Sequence, residues 1–271
     1  MIEAKDINFA YRRGVPVLKD IDCTIRDGEF VALLGHNGSG KTTLSRLFMA
    51  LDHPRSGQIL VDGKDIVKQE PADLADKIGY VFQNPDLQIL ADTVFDEVAY
   101  GPRAKKLTEV NVQTQVDAAL AAMGLKKLAG GYPRVLSFGQ KRRLGVAAAL
   151  ALNPRTLILD EITNGQDAAE KTRMMEYLKA INEERGVTII LITHDMDIVR
   201  RYAKRALVLT DGELVFDGTP RELFEGGEHL EEWGLRRPVV AALGANFGLS
   251  VATVEDLCAK LVKGDECDED D

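Results

Sequence analysis

Cysteine is scarce in this chain. Three occur in 271 residues (Cys23, Cys258 and Cys267), without a C-x-x-C pair and without histidines in a matching pattern. Disulfide-stabilised secreted domains and zinc sites both require denser or more closely spaced cysteines. The scarcity therefore argues against both kinds of structure and is typical of a protein kept in a reducing cytosol.

Long apolar runs are also missing. The longest, residues 144–152, is about half of the roughly 20 residues that a membrane-spanning helix needs. The first six residues, MIEAKD, lack the basic start and apolar centre of a signal peptide. We therefore expect any role at a membrane to depend on a partner protein.

Positive charge is in deficit, with 34 Lys and Arg against 43 Asp and Glu and a net charge of −9. Nucleic acids and anionic lipids favour basic surfaces, so no nucleic-acid partner is expected. The hydrophobic fraction of 45% and the charged fraction of 28% are typical of a soluble globular protein. The length allows one large domain, or one domain with a smaller appendage.

Residues 35–42, GHNGSGKT, fit the pattern G-x-x-x-x-G-K-[ST] of a phosphate-binding loop. A strand pattern at 30–34 precedes the loop and a helical pattern at 43–51 follows it, as this motif requires. Glycines let several backbone N–H groups point at one anion, and a helix N-terminus adds its positive dipole end. Lys41 is expected to reach the β- and γ-phosphates, and Thr42 to offer its hydroxyl to Mg²⁺. The predicted nucleotide-binding residues of this loop are Gly35, Asn37, Gly38, Ser39, Gly40, Lys41, Thr42 and Thr43.

The order of patterns along the chain predicts an α/β fold. Alternating apolar residues in the first segment predict strands, ending at Tyr11 and at Ile25, and Asp62-Gly63 is a hairpin signal. Further strands are predicted from short apolar runs, and a helix at 168–185 separates two of them, as in a parallel sheet. These runs are 78–83, 156–159, 188–192 and 206–209.

Two segments depart from this alternation. Residues 92–152 show helical spacing without strand signals and predict a helical insert. After residue 222 a helix-rich extension is expected, with an apolar stripe of Val254, Leu257, Cys258 and Leu261. The main domain is thus expected to span 1–222, and the extension 223–271 with its acidic tail at 264–271.

The apolar strand at 156–159 ends in two acids, Asp160 and Glu161. A carboxylate at the tip of a strand beside a phosphate-binding loop can hold Mg²⁺, which favours Asp160. Adjacent side chains point in different directions, so Glu161 is free to polarise the attacking water. The alternative is a pair of surface acids at a strand end.

Residues 136–140, LSFGQ, resemble the L-S-G-G-Q signature of ATP-binding cassette (ABC) ATPases, with Phe138 where that family usually has glycine. The resemblance implies that Ser137 and Gly139, with Gln140 beside them, face the γ-phosphate of ATP bound by a second subunit. A hydroxyl and free amides at the start of a helix suit an anion. The alternative role of Ser137 is that of an ordinary helix cap.

Four more positions match motifs of this family in the expected order. Tyr11 resembles the aromatic residue that stacks on adenine, and Gln83 lies in VFQNPD, which resembles the Q-loop. Asp167 lies in NGQD, which is similar to the D-loop, and His194 resembles the switch histidine that contacts the γ-phosphate. The resemblance implies Glu161, His194 and Gln83 as catalytic residues, and Thr42, Gln83 and Asp160 as ligands of Mg²⁺.

The resemblance covers residues 1–223 and implies a P-loop NTPase cassette: a RecA-like parallel-sheet core, an antiparallel β part and a helical subdomain, with ATP and Mg²⁺ as cofactors. Residues 84–88, NPDLQ, and 92–102, DTVFDEVAYGP, resemble the energy-coupling-factor (ECF) branch, which includes cobalt, nickel and vitamin importers. That branch implies a second ABC ATPase subunit, identical or related, an integral membrane coupling subunit and a substrate-binding membrane subunit. The chain would then lie at the cytoplasmic face of a prokaryotic membrane. The cargo stays open, because membrane subunits select it.

Two other interpretations of the sequence are a soluble ABC ATPase and a GTPase or nucleotide kinase. A soluble ABC ATPase acting on DNA, ribosomes or protein complexes stays open, although no long heptad run separates Lys41 from Ser137 and a single cassette is present. GTPases need an N-K-x-D motif, which is absent. Nucleotide kinases have no use for the signature at Ser137.

Overall fold

The computed structural model describes residues 1–225, 229–247, 249 and 257–260. The strands in these ranges are β1 Ile2–Phe9, β2 Leu18–Ile25, β3 Phe30–Leu34, β4 Ser56–Val61, β5 Lys64–Asp65, β6 Ile78–Val81, β7 Thr156–Asp160, β8 Thr188–Ile192, β9 Arg205–Thr210 and β10 Glu213–Gly218. The α-helices are α1 Lys41–Phe48, α2 Pro71–Leu74, α3 Val94–Ala104, α4 Glu109–Ala122, α5 Phe138–Leu150, α6 Ala168–Arg185, α7 Met196–Tyr202, α8 Pro220–Glu225 and α9 Val239–Asn246.

A six-stranded sheet of order β10-β9-β3-β8-β7-β6 forms the centre of the protein. Its strands are parallel except β10, which runs antiparallel to β9. Strands β3, β7 and β8 are buried along their whole length, as their almost entirely apolar sequences predict. Ile192 pairs with Leu33 on one side and with Asp160 on the other. The carboxyl ends of these three strands therefore meet at one edge of the sheet.

A second, antiparallel sheet has the order β2-β1-β4-β5. The expected hairpin joins β4 to β5, with φ of 52° at Asp62 and 72° at Gly63, the left-handed pair that a two-residue hairpin uses. The register of β1 shifts near Asp6, which has φ of 56°. A Cβ on the facing Gly57 would lie 2.2 Å from the Asp6 carbonyl oxygen, so only glycine fits there.

Residues 94–150 form the predicted helical insert as α3, α4 and α5. Val112, Val116 and Leu120 of α4 are fully buried, in a cluster that continues into Leu157 of β7 and Leu191 of β8. The apolar face of α4 therefore packs against the central sheet. The opposite face of that sheet packs on α1 and on the antiparallel sheet in a separate cluster.

Some predicted boundaries are wrong by a few residues. The helix expected at 43–51 begins at Lys41, directly after Gly40 in a left-handed conformation (φ 104°). It ends at Phe48, shortly before Ala50, whose φ of 52° is not helical. Strand β1 ends at Phe9 and leaves Tyr11 outside it, and β6 ends at Val81, before Gln83.

Four described residues after position 222 take part in the cassette core. Leu223, Phe224, Leu230 and Leu235 are buried in one cluster with Ala32 and Leu34 of β3. Of the predicted apolar stripe, Leu257 and Cys258 lie in a helical segment, whereas Val254, Leu261 and the acidic tail at 264–271 lie outside the described residues. The division of the chain at residue 222 stays a prediction.

Among the helices of the described residues, none combines the length and the apolar composition that crossing a membrane requires.

Candidate active site

The phosphate-binding loop connects β3 to α1 at the carboxyl edge of the central sheet. Gly35 has φ of 138°, and a Cβ on it would lie 2.0 Å from the Leu209 carbonyl oxygen, so the loop can pass there only as glycine. Lys41 is buried and donates hydrogen bonds to the carbonyl oxygens of Gly35 (2.9 Å) and His36 (2.8 Å). Burial lowers the pKa of Lys41, and nearby Glu161 and Asp160 act in the opposite direction. A buried cation thus lies inside a loop of backbone amides at a helix N-terminus, as a bound phosphate requires.

Asp160 ends β7 directly beside α1. Its Oδ2 accepts a hydrogen bond from the Thr42 hydroxyl at 2.9 Å and lies 3.5 Å from the Tyr80 hydroxyl. Its Oδ1 is buried and has no hydrogen-bond partner among the described residues. Burial raises the pKa of Asp160 to about 6. A buried carboxylate oxygen without a hydrogen-bond partner, next to a hydroxyl, is suited to hold a cation.

Magnesium fits this pair of residues. It prefers oxygen ligands, and it is usually held by one or two carboxylates together with substrate phosphates and water. Thr42 and Asp160 supply two such oxygens, and Asp160 has a free one. No group of three or more His, Cys, Asp or Glu in the described part of the chain is suited to hold a metal ion alone. The rest of the coordination shell would have to come from nucleotide phosphates and water.

Glu161 follows Asp160 and is the meeting point of three polar side chains. It accepts hydrogen bonds from the Gln83 side-chain amide (2.7 Å) and the Asn164 amide (3.1 Å), and its Oε1 lies 3.0 Å from Nε2 of His194. Its φ of 51° is unusual for a residue with a side chain. The structure therefore brings together three residues predicted as catalytic from separate motifs.

Two residues of this site were missed by the sequence reasoning. The Tyr80 hydroxyl lies 3.0 Å from the Ser45 hydroxyl and 3.5 Å from Oδ2 of Asp160, so it links α1 to the carboxylate. Arg142 is 4% exposed and donates a hydrogen bond to the Gln83 carbonyl oxygen at 3.2 Å. Burial lowers the pKa of Arg142. The sequence offered one signal for Arg142: it lies four residues after Phe138 on one helix, a spacing that places the two side chains side by side.

The signature segment begins α5 and lies apart from the phosphate-binding loop. Ser137 caps the helix: its hydroxyl accepts from the Gln140 N–H (3.3 Å), and the Gln140 side chain accepts from the Ser137 N–H (2.9 Å). Phe138 is 46% exposed, with the Arg142 guanidinium 4.6 Å from its ring centre. No hydrogen bond between the described residues joins Ser137 or Gly139 to the loop at Lys41. Within one chain, these two motifs are not brought together.

The other predicted residues lie around the loop. The Tyr11 hydroxyl is 3.3 Å from that of Thr43, and the residue is 56% exposed, so a ligand at the loop could contact it. Asp167 caps α6 through the Glu170 N–H (2.8 Å). The remaining predicted loop residues lie between β3 and α1: Asn37, Gly38, Ser39 and Gly40.

Comparison with known proteins agrees with this geometry. Residues 18–164 match the family model described as ABC transporter. An ABC transporter ATP-binding protein of Caldanaerobacter subterraneus subsp. tengcongensis is 44% identical over 262 residues, which are 96% of this chain and 46% of that relative. The energy-coupling factor transporter ATP-binding protein EcfA of Methanocaldococcus jannaschii is 40% identical over 245 residues, 90% of this chain and 88% of the relative.

A solved structure has the same fold. The structure of cbiO1 from Clostridium perfringens, part of the ABC transporter complex cbiONQ, superposes with a TM-score of 0.76 at 37% identity and covers 89% of this chain and 97% of that one. The chain spans about half the length of the first Caldanaerobacter relative. The phosphate-binding loop, the paired acids and the sheet order agree with the family match, and the chain therefore belongs to the ABC transporter family as an ATP-binding cassette.

Proposed function

We propose that this chain binds ATP with Mg²⁺ and hydrolyses it to drive uptake through a membrane importer of the ECF type. The observation that carries the proposal is the convergence of Gln83, Asn164 and His194 on the Glu161 carboxylate, next to the Lys41 loop. A carboxylate held in this way is a suitable general base for water.

The chemical step assigns a role to each of these groups. Lys41 and the loop amides bind the β- and γ-phosphates. Glu161 accepts a proton from the attacking water while the water oxygen bonds to the γ-phosphorus. The bond between that phosphorus and the β–γ bridging oxygen breaks, and ADP leaves with the bridging oxygen. Gln83 and His194 orient the water and the γ-phosphate. Mg²⁺, held by Thr42 and Asp160, would neutralise charge on the phosphate oxygens.

A second subunit completes this site in our proposal. Ser137 and Gly139 lie at the N-terminus of α5, and among the described residues no hydrogen bond joins them to the loop of the same chain. In a pair of chains, each signature would face the ATP held by the partner's loop, so that bound ATP favours the closed pair. The partner is a second ABC ATPase, identical or related.

A membrane coupling subunit is the third element of the proposal. A groove of about 380 Å³ lies beside the loop that follows Gln83, with an almost wholly apolar lining. Leu90 and Tyr100 at this groove are exposed by 71% and 63%. An apolar helix of a membrane protein is the occupant that we propose, because the groove adjoins the segment carrying Gln83. The relatives named for energy-coupling-factor and cbiONQ transporters support this assignment. The cargo class would be a transition-metal ion such as cobalt or nickel, or a vitamin, with the cassette at the cytoplasmic face of the membrane.

Glu161→Gln tests the chemistry. We expect ATPase turnover to fall by about 100-fold or more, because the general base is lost, while ATP binding persists. Size-exclusion chromatography with ATP and Mg²⁺ should then show a trapped dimer. Glu184→Gln, an exposed acid near the end of α6, is the matched control and should retain turnover. Unchanged turnover in Glu161→Gln would remove this residue from the base role.

Leu90→Asp tests the groove. The isolated variant should retain its basal ATPase rate, because Leu90 is exposed and is not part of the nucleotide site. When reconstituted with the membrane subunit in proteoliposomes, it should lose stimulated ATPase and substrate uptake. Val110→Asp, exposed by 76% on α4, is the control. Full stimulation of Leu90→Asp would contradict docking in this groove. A wild type that does not respond to the membrane subunit would instead favour a macromolecular complex as the partner.

A further inference from the structure

A second cavity, of about 600 Å³, lies at the opposite edge of the central sheet from the nucleotide site. It lies between α4, the last turn of α5 and α6, over the amino ends of β7 and β8. Its volume is within the range of small-molecule sites, about 300–1,000 Å³. None of the residues assigned to ATP or Mg²⁺ lines it.

The cavity combines an apolar interior with positive charge. Asp27, the acidic residue among the described residues that line it, is already paired with the Met1 amino group. Leu157, Ile181 and Val187 form part of the apolar wall. Arg155 and Arg185 also line it, are exposed, and form no side-chain hydrogen bond or ion pair with any residue that the structure describes. Free guanidinium groups above an apolar wall favour a ligand with an apolar body and one anionic group.

A polar atom inside the cavity lacks a partner as well. Oε1 of Gln115, on α4, is buried without a hydrogen bond among the described residues. A buried acceptor without a partner costs about 1–3 kcal/mol, so a ligand that brings an N–H or O–H group would gain by occupying this place. The lining therefore specifies three features: an apolar body, an anion and a donor.

Three elements run from this cavity to the nucleotide machinery. Helix α5 begins at the Ser137 cap and ends at the cavity, and α6 begins at the Asp167 cap and ends at Arg185. Strand β7 begins beside the cavity and ends at Asp160. A ligand here would contact the far ends of the elements that carry the signature, the D-loop and the paired acids.

We propose that this cavity is a regulatory binding site for a small amphipathic organic anion, an apolar ring or chain that carries one carboxylate, sulfonate or phosphate group. The bound ligand joins α4 of the helical insert to α6 of the core and restrains their relative movement. That restraint alters the rate at which the signature closes on ATP. The regulatory effect rests on the proposed ATPase function, whereas the binding site does not.

The binding test uses 8-anilinonaphthalene-1-sulfonate, an aromatic sulfonate with one N–H donor, in fluorescence titrations of the full chain. We expect saturable binding that excess ATP with Mg²⁺ does not displace. The double variant Arg155→Ala/Arg185→Ala should raise Kd about fivefold or more, because two screened charge contacts are lost. Lys68→Ala, an exposed cation between β5 and α2, should leave Kd unchanged.

The second variant blocks the mouth of the cavity with a larger side chain. Ala118 lines the cavity but is exposed, so Ala118→Trp enlarges a side chain at the mouth without entering the core. It should abolish probe binding and keep the thermal midpoint of the wild type. Displacement of the probe by ATP, or equal Kd values in all variants, would overturn the site.

The regulatory effect has its own readout. Saturating probe should change the steady-state ATPase rate of the wild type at least about twofold and leave the rate of Ala118→Trp unchanged. An equal rate with and without bound probe would refute the coupling. If the chain proves to lack ATPase activity altogether, the titrations still decide whether the site exists.

Discussion

Replacing Asp160 by asparagine should stabilise the nucleotide-free protein while abolishing its activity. The carboxylate is 1% exposed, and one of its oxygens has no hydrogen-bond partner among the described residues. A buried charge of this kind opposes folding until a cation arrives. Asparagine has nearly the same shape, and its amide oxygen can still accept the bond from Thr42.

The magnitude follows from the pKa. Burial raises the pKa of Asp160 to about 6, against an ordinary value of 3.8. The folded chain therefore binds this proton more tightly than the unfolded chain, so the cost of the charge is complete above pH 6 and disappears as the pH falls toward 3.8. That cost is about 3 kcal/mol at pH 8 and about half of this at pH 5. In Asp160→Asn an amide N–H group is left unpaired, and this offsets about 1 kcal/mol of the stability gained by removing the charge.

The expected net gain in the free energy of unfolding is thus about 2 kcal/mol at pH 8 and less than about 1 kcal/mol at pH 5. Urea denaturation followed by far-ultraviolet circular dichroism, with EDTA and without nucleotide, measures both values. Glu184→Gln serves as the reference for a change of one exposed charge and should stay within about 0.5 kcal/mol of the wild type.

Two results would refute this reasoning. Asp160→Asn that is no more stable than the wild type at pH 8 would mean that the buried carboxylate carries no such cost. A gain that does not shrink between pH 8 and pH 5 would mean that the stabilisation has a cause other than the charge. Excess Mg²⁺ with ATP should reverse the order, because it stabilises only the protein that retains Asp160.

Further predictions concern the loop glycines and the cysteines. Gly35→Ala should abolish ATP binding in a fluorescent-nucleotide titration, because its Cβ would overlap the Leu209 carbonyl. A Cβ on Gly38 would meet no atom within 4 Å, so Gly38→Ala should lower the binding free energy by only about 1–2 kcal/mol. Similar affinities of the two variants for the nucleotide would contradict the loop geometry. Burial raises the pKa of the Cys23 thiol to about 12, so in a chain in which the other two cysteines are serine we expect no alkylation by N-ethylmaleimide at pH 8 until urea is added, as measured by mass spectrometry. Rapid alkylation of the folded chain would show that β2 opens.

The sequence predicted five of the six strands of the central sheet because those five are apolar runs, whereas β10, partly exposed along its length, was not predicted. The runs at 156–159 and 188–192 became β7 and β8 with at most one residue of difference. Helix α6 was predicted at its observed limits, because Asp167 caps its start and Gly186, with φ of 67°, ends it. Local chemistry determines such boundaries, so local reasoning finds them.

The site was predicted in part. Motif order indicated Lys41, Asp160 and Glu161, since each follows a strand that ends at the same edge. Tyr80 and Arg142 were missed, because their contacts join residues that are 80 and 59 positions apart in the sequence. Such pairings depend on how the strands and helices are arranged in space, which no local pattern specifies.

The packing of Leu223, Phe224, Leu230 and Leu235 has a practical consequence for the design of shorter fragments of this protein. Leu223 and Leu235 belong to the same buried cluster as Leu34, the last residue before the nucleotide loop, and a Cβ on Gly234 would lie 2.7 Å from that of His36 within the loop itself. A fragment trimmed at residue 222 would uncover the outer side of β3 and should precipitate or bind ATP poorly. Cutting after residue 235 is the safer choice for a minimal ATPase.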